Sequence, residues 1–298
     1  MTDFAKYQAL GNDYLVVDSD RLGLLPGPDL ARELCDRHRG IGADGVLFGP
    51  ANPVPAGGTV AVTTYNSDGS CCDRSVNGVR MFALHLVDQG LVDRTPTSPE
   101  LVIRTPAGDS PVRIIDADRG LVSVRLDPPS FDAADIGVLG WSGSMADWQL
   151  AVDNEQWRLS CLYNGNPHAV VFLDELSEAR TRELGPQFAG HPRFPQRINV
   201  AFARVVDRNT LDLQIYERGA GYTLASGSSS CAAASAARRL GWVADQVTVR
   251  MPGGEVEVSI DDRHRVSLTG PVEKVASGEF ADQLRRRLGL APAERVPA

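Results

Sequence analysis

Apolar residues recur at every second position over several short stretches of the chain. Thr59–Tyr65, Leu101–Arg104, Val112–Ile115 and Leu121–Leu126 alternate in this way and read as strands. Asp29–Arg39, Ser75–Gln89 and Gly227–Leu240 read as helices. The last two open on small or capping residues and stop before a glycine, at Gly90 and Gly241. Strands dominate, and each half of the chain has one long apolar helix. That pattern predicts an α+β fold in which an antiparallel sheet wraps a buried helix. The small residues of Cys231–Ala237 suit close packing inside such a sheet. Asp116–Gly120 reads as a linker and Ala291–Ala298 as a frayed tail. Phe280–Leu288, with Arg285, Arg286 and Arg287, reads as a helix with a solvated charged face.

The pattern occurs twice. Tyr65 and Ser75 in the first half match Tyr216 and Ser226 in the second, ten residues apart in both cases. A glycine follows each serine fifteen residues on, at Gly90 and Gly241. Arg104-Thr-Pro-Ala-Gly108 has its counterpart in Arg250-Met-Pro-Gly-Gly254. Gly11-Asn12 leads into Tyr14-Leu-Val-Val17 as Gly165-Asn166 leads into His168-Ala-Val-Val171. Four landmarks in one order at nearly one spacing predict a duplicated domain. The N-terminal half is expected over 1–119, completed by 272–298, and the C-terminal half over 120–271.

Composition narrows the partners. The chain has 298 residues, of which 43% are apolar, enough to bury a large core. A net charge of −8 and few aromatics disfavour a nucleic-acid partner. No run approaches the ~20 apolar residues of a membrane helix, and Asp3 and Lys6 interrupt any secretory core. The five cysteines, at 35, 71, 72, 161 and 231, are odd in number and form no CxxC pair. This predicts a reduced, soluble, cytoplasmic protein rather than a disulfide framework or zinc ribbon. A homodimer is considered, but nothing in the sequence decides it.

Candidate chemistry gathers at the two matching serines. Duplicated halves that face one another bring equivalent points together, and here those points are two helix N-termini. Each offers unpaired N–H groups and the positive end of a helix dipole, a carboxylate site when two converge. Asn77, Gly78, Gly227, Ser228 and Ser229 supply amides with little obstruction. Ser75 and Ser226 also suit a plain N-cap role, and position alone leaves both readings open. Glu217-Arg218 lies eight or nine residues before Ser226, which favours contact with a ligand over a surface ion pair. His168 follows Asn166-Pro167 in a polar turn and could face the same site or make a structural hydrogen bond. Gly40-Ile-Gly-Ala-Asp-Gly45 matches GxGxxG as a string, but a helix precedes it and a strand follows, the reverse of a dinucleotide site. The five histidines show no metal-ligand spacing.

Several segments resemble the diaminopimelate epimerase family, over nearly the whole chain. Ala9-Leu-Gly-Asn-Asp13 is similar to the family's GLGND, Arg39-Gly-Ile-Gly-Ala-Asp44 to RxGIGAD, and Asn66-Ser-Asp-Gly-Ser70 to NADGS. Gly165-Asn-Pro-His168 resembles GNPH, Ile198-Asn-Val200 VNV, Glu217–Ala225 ERGAGETLA, and Leu268–Pro271 the closing TGP. The resemblance implies two pseudo-symmetric halves, each an antiparallel β-barrel-like sheet around a central helix. It implies epimerisation or racemisation at an amino-acid α-carbon with no metal, pyridoxal phosphate or other cofactor. LL-diaminopimelate is the leading substrate. By the same resemblance, Asn12, Asn66, Asn166, Asn199 and Arg218 hold the distal end of the substrate and Glu217 meets its ammonium. The backbone at Asn77-Gly78 and Gly227-Ser228 holds the α-carboxylate.

The family's two proton-transferring cysteines are serines here, Ser75 and Ser226. A helix N-terminus lowers a thiol pKa to roughly 3.5–7.5, whereas a serine hydroxyl needs a neighbouring base. Three explanations stand open: replacement to hold substrate without turnover, proton transfer through serines, or loss of epimerase chemistry. The last leaves an amino-acid binder, or a proton-shifting isomerase or lyase. Val76, in place of a family glycine, bears on the carboxylate pocket, and Gly45 and Tyr222 also depart from the family pattern, which bears on the distal group of the substrate.

Overall fold

A computed structural model of the chain describes residues 2–50, 58–93 and 101–291. It divides into two compact units. The first comprises Met1–Ala9, Asp13–Val122 and Val272–Ala298, the second Leu10–Asn12 and Ser123–Pro271.

The repeat seen in the sequence is a repeat of topology. In the first unit six strands run in the order Glu273–Gly278, Phe4–Ala9, Asn12–Val17, Gly45–Phe48, Thr63–Asn66, Cys71–Cys72. In the second the path opens in the order Trp148–Val152, Glu155–Tyr163, Pro167–Phe172, Asn199–Asp207, Thr210–Glu217, with Gly221–Thr223 paired to the last, and continues through Gln246–Met251, Gly254–Ile260 and Val266–Pro271. In both, the third and fourth strands are a parallel pair within a run that is otherwise antiparallel up to Thr63–Asn66 and Thr210–Glu217 respectively. A parallel pair needs a crossover connection. Helix Pro28–Cys35 lies in one crossover and helix Glu178–Ala189 in the other. The strand paths have free ends and do not close into a barrel.

A thirteen-residue helix crosses each unit: Val76–Asp88 in the first, Gly227–Arg239 in the second. Every residue of the first from Val76 to Val87 is buried, Arg80 included. The second is lined with Cys231, Ala232, Ala233, Ala234, Ala236 and Ala237, all fully buried, and packs on seven strands of its unit. Small side chains permit that many strands to approach one helix. Both helices end alike. Gly90 (φ 68°) and Gly241 (φ 78°) take the left-handed conformation, and Leu91 and Trp242 return their N–H groups to the carbonyls of Leu86 and Ala237.

Some boundaries differ from expectation. The helix predicted over Asp29–Arg39 stops at Cys35, because Asp36 Oδ1 accepts the N–H groups of His38 and Arg39 and draws the chain into a turn. The strand predicted over Thr59–Tyr65 breaks at Val62, whose N–H donates to the Arg104 carbonyl. Thr59–Ala61 then pairs with Leu101–Thr105, and Thr63–Asn66 with Gly45–Phe48. Asp116–Gly120 is a tight turn between strands Gly108–Asp116 and Leu121–Leu126, not a linker. In the C-terminal helix Asp282–Arg287, Arg285 is mostly buried on Asp3 at 2.6 Å and Arg287 pairs with Glu33 at 2.7 Å, so only part of that charge run is solvated. The expected frayed tail lies, from residue 292 on, outside the described residues.

The placement of Leu10–Asn12 in the second unit has a local cause. Leu10 (φ 56°) and Gly11 (φ 87°) form a two-residue turn of the kind that joins antiparallel strands. The Leu10 carbonyl seats on Gly253, where a Cβ would come within 2.0 Å of its oxygen. Gly253→Ala should therefore lower stability by about 2–4 kcal/mol, the range of a steric defect with no room to relax. Gly219→Ala, with nothing near its Cβ, should stay within about 0.5 kcal/mol. Urea unfolding of both variants checks the contrast, and equal stabilities would contradict the packing described.

Candidate active site

The candidate residues fall into two groups, one in each unit. The first unit holds Asn66, Ser75, Asn77 and Gly78. Ser75 is the N-cap of its helix, and its Oγ accepts the Gly78 N–H at 3.0 Å. Asn77 is buried and accepts from Arg80 Nη2 at 2.8 Å. Asn66 closes the Asn66–Ser70 turn, donating from Nδ2 to Ser70 Oγ at 2.9 Å. Beneath it, Asp13 and Asp44 exchange backbone N–H bonds, and Arg37 joins both carboxylates at 2.7 and 2.8 Å. Lys6 adds a 2.8 Å contact to Asp13. The hydrogen bonds from Arg37 and Lys6 hold the Asp13 carboxyl below the usual range despite the opposing effect of burial.

The second unit holds Asn12, Asn166, His168, Asn199, Glu217, Arg218, Ser226, Gly227 and Ser228. Ser226 is buried and caps its helix, its Oγ accepting from Ser229 N at 3.4 Å and lying 3.4 Å from Ser228 Oγ. Gly227 and Ser228 begin the helix, so their N–H groups have no acceptor within it. His168 and Asn199 stand opposite one another in the parallel strand pair. Asn199 donates to the Pro167 carbonyl at 3.2 Å and accepts the Arg218 N–H at 3.1 Å. His168 Nε2 lies 2.5 Å from Asn166 Oδ1. Arg218 is half-buried, and its guanidinium forms no ion pair among the described residues. Its charge adds to burial in pushing the His168 pKa down to about 3, so this imidazole is neutral. His168 Nδ1, Asn164 Oδ1 and Ser229 Oγ are buried with no hydrogen-bond partner among the described residues.

Three contributors were not evident in the sequence. Asn164 donates to the Ser228 carbonyl at 2.9 Å and holds the start of the second helix. Met251 Sδ accepts from Ser226 N and Ser230 Oγ, at 3.5 and 3.2 Å; its place in the repeated Arg-x-Pro landmark was the available signal. Tyr14 covers Gly45, where a Cβ would lie 2.5 Å from the ring. A longer residue at 45 and this tyrosine conformer exclude each other. Tyr222, the other departure, turns to Gln214 (2.9 Å) and stacks under Arg182 (4.2 Å), on the helix Glu178–Ala189. No carboxylate or imidazole hydrogen-bonds to Ser75 Oγ or Ser226 Oγ among the described residues. The described residues contain no cluster of three or more potential metal ligands. The Gly40–Gly45 string lies between a helix and a strand, Pro28–Cys35 and Gly45–Phe48.

The neutral histidines set a pH dependence. His85, buried beside Lys274, also has its pKa pushed down, to about 4. Below pH 6.5 an unfolded chain protonates both imidazoles, while the folded chain keeps them neutral until about pH 3 and 4. The unfolded state binds more protons across that window, so stability falls as pH falls through it. The His168 Cε1–H resonance should not titrate between about pH 5 and 8, the range in which an unperturbed histidine does. A midpoint near neutrality would overturn the assignment.

Comparison with known proteins agrees with this architecture. The family model described as diaminopimelate epimerase matches residues 4–131 and 160–275. Diaminopimelate epimerase 2 of a Nostoc species is 41% identical over 281 residues, covering 94% of this chain and 96% of that protein. The diaminopimelate epimerase of Alkalilimnicola ehrlichii is 39% identical, covering 93% and 98%. Among solved structures, a probable proline racemase from Agrobacterium radiobacter superposes with a TM-score of 0.69 at 16% identity, covering 94% of this chain and 93% of that one. A hydroxyproline epimerase from Agrobacterium vitis gives 0.63 at 16% identity, covering 92% and 90%. These last two likenesses concern the fold alone. The chain belongs to the diaminopimelate epimerase family, isomerases of the amino-acid epimerase type.

Proposed function

We propose that this chain binds a dicarboxylic α-amino acid, LL-diaminopimelate first, at a site built for two-base epimerisation at the α-carbon. The observation that carries the reading is Arg218. A half-buried guanidinium with no counter-ion among the described residues, beside Asn166, Asn199 and a neutral imidazole, favours a carboxylate ligand. Asn12 and Asn66 complete the distal set, Glu217 receives the ammonium, and Asn77, Gly78, Gly227 and Ser228 hold the α-carboxylate. Ser75 and Ser226 occupy the proton-transfer positions. The family's lysine-biosynthetic role and the acidic composition favour a small-molecule partner and the cytoplasm. No described helix is long and apolar enough to cross a membrane.

The serines favour binding over turnover. Each Oγ accepts an N–H of its own helix, and neither is hydrogen-bonded to a base among the described residues. A positioned acid–base group contributes about 10²–10⁴ in rate, so two mismatched groups should suppress exchange at least that far. Proton NMR in deuterated water, with LL-diaminopimelate and a panel of L-amino acids, tests this on the protein and on a Ser75→Cys/Ser226→Cys variant. We expect α-proton exchange in the double variant and little in the present form. Fast exchange by the present form would mean that serine suffices. Exchange in neither, for any amino acid offered, would sink the epimerase reading and favour the binder or the lyase.

A further inference from the structure

A second recess lies wholly within the second unit, at the opposite end of helix Gly227–Arg239 from Ser226. Thirteen helical residues separate them by about 20 Å. The recess encloses about 390 Å³, within the range of small-molecule sites. Its walls come from three neighbouring strands, Glu155–Tyr163, Pro167–Phe172 and Asn199–Asp207, and from the turn that ends the helix.

Its polar groups are held in place before any ligand arrives. Arg158 forms a fork on Asp147 through Nε and Nη2, at 2.6 and 2.9 Å, which leaves Nη1 unused. Arg204 grips Asp212 through Nε and Nη2, again leaving Nη1. Trp242 is fixed by its backbone bond to the Ala237 carbonyl at 3.0 Å and by an edge contact with Phe172, ring centroids 4.8 Å apart. The Arg158 guanidinium lies 5.8 Å over the same indole. Asp174, at the rim, makes no hydrogen bond or ion pair among the described residues. The recess thus presents two guanidinium edges, one uncommitted carboxylate and an apolar aromatic wall.

We infer that this recess is a second binding site, for the zwitterion of an apolar or aromatic α-amino acid. The carboxylate of the ligand meets Arg158 and Arg204, its ammonium meets Asp174, and its side chain lies along Phe172 and Trp242. A simple anion leaves Asp174 unmatched and a simple amine leaves the guanidinium edges unmatched, so the charge pattern selects the zwitterion.

Titration of the intact protein with L-phenylalanine, followed by the indole N–H resonances of its four tryptophans, tests the inference. The Trp242 resonance, assigned with Trp242→Phe, should move by about 10 mM ligand, a weak but specific affinity. Asp174→Asn and Arg204→Gln should each weaken the response about tenfold or more. Phenethylamine and 3-phenylpropanoate should bind at least tenfold more weakly than the amino acid. Arg218→Ala, which strikes the proposed epimerase site, should leave the Trp242 response unchanged, so the two sites fail or stand separately. No movement of Trp242, an equal response to 3-phenylpropanoate, or loss of the response in Arg218→Ala would each overturn the assignment.

Discussion

A helix buried from its first turn must dispose of the N–H groups at its start, which have no partner inside the helix. Much of this protein follows from that constraint. Both units solve it with a serine N-cap that takes the third N–H, at Gly78 and at Ser229. The two N–H groups before it have no acceptor inside the helix. They sit where strand, turn and helix meet, and in the second unit the flanking residues are held by contacts both near and distant in sequence. Thr223 Oγ1 ties down Ala225, Met251 Sδ receives the Ser226 N–H, and Asn164 holds the Ser228 carbonyl. The sheet fixes the helix, and the helix start carries the positive end of its dipole.

The duplicated frame makes the chemical differences between its units informative. Tyr14 opposes Gly45 in the parallel pair of the first unit, and His168 opposes Asn199 in the second. Asn66, at the end of its strand, has the counterpart Glu217. At these positions the first unit carries an aromatic ring, a glycine and an amide. The second carries an imidazole, an amide and a carboxylate, followed by Arg218, whose guanidinium forms no ion pair among the described residues. Both units also carry internal ion pairs, among Lys6, Asp13, Arg37 and Asp44 in the first, and from Arg158 to Asp147 and from Arg204 and Arg250 to Asp212 in the second.

How much of this was legible depended on how local its cause was. The two central helices could be bounded within a residue at either end, because serine caps and C-terminal glycines act on their own neighbours. The break at Val62 could not, since its partner carbonyl belongs to Arg104. The crossover helix ran four residues too long because Asp36 competes for N–H groups that a helical pattern assigns to the helix. At the site, resemblance named the residue types, but the neutral state of His168 and the missing counter-ion of Arg218 are properties of packing. Tyr14 lying over Gly45 explains an absent side chain that the sequence registered only as a departure.

Replacing cysteine by serine at an N-cap changes more than acidity. Serine is a good hydrogen-bond acceptor and sulfur a weak one. At Ser75 and Ser226 the oxygen accepts the N–H of Gly78 and Ser229. A thiolate at the same cap would gain from the helix dipole and remain a usable base near neutrality. A neutral hydroxyl gains little from the dipole and spends its acceptor on the cap. Base strength and acceptance of the helix N–H are therefore linked through one atom in each unit.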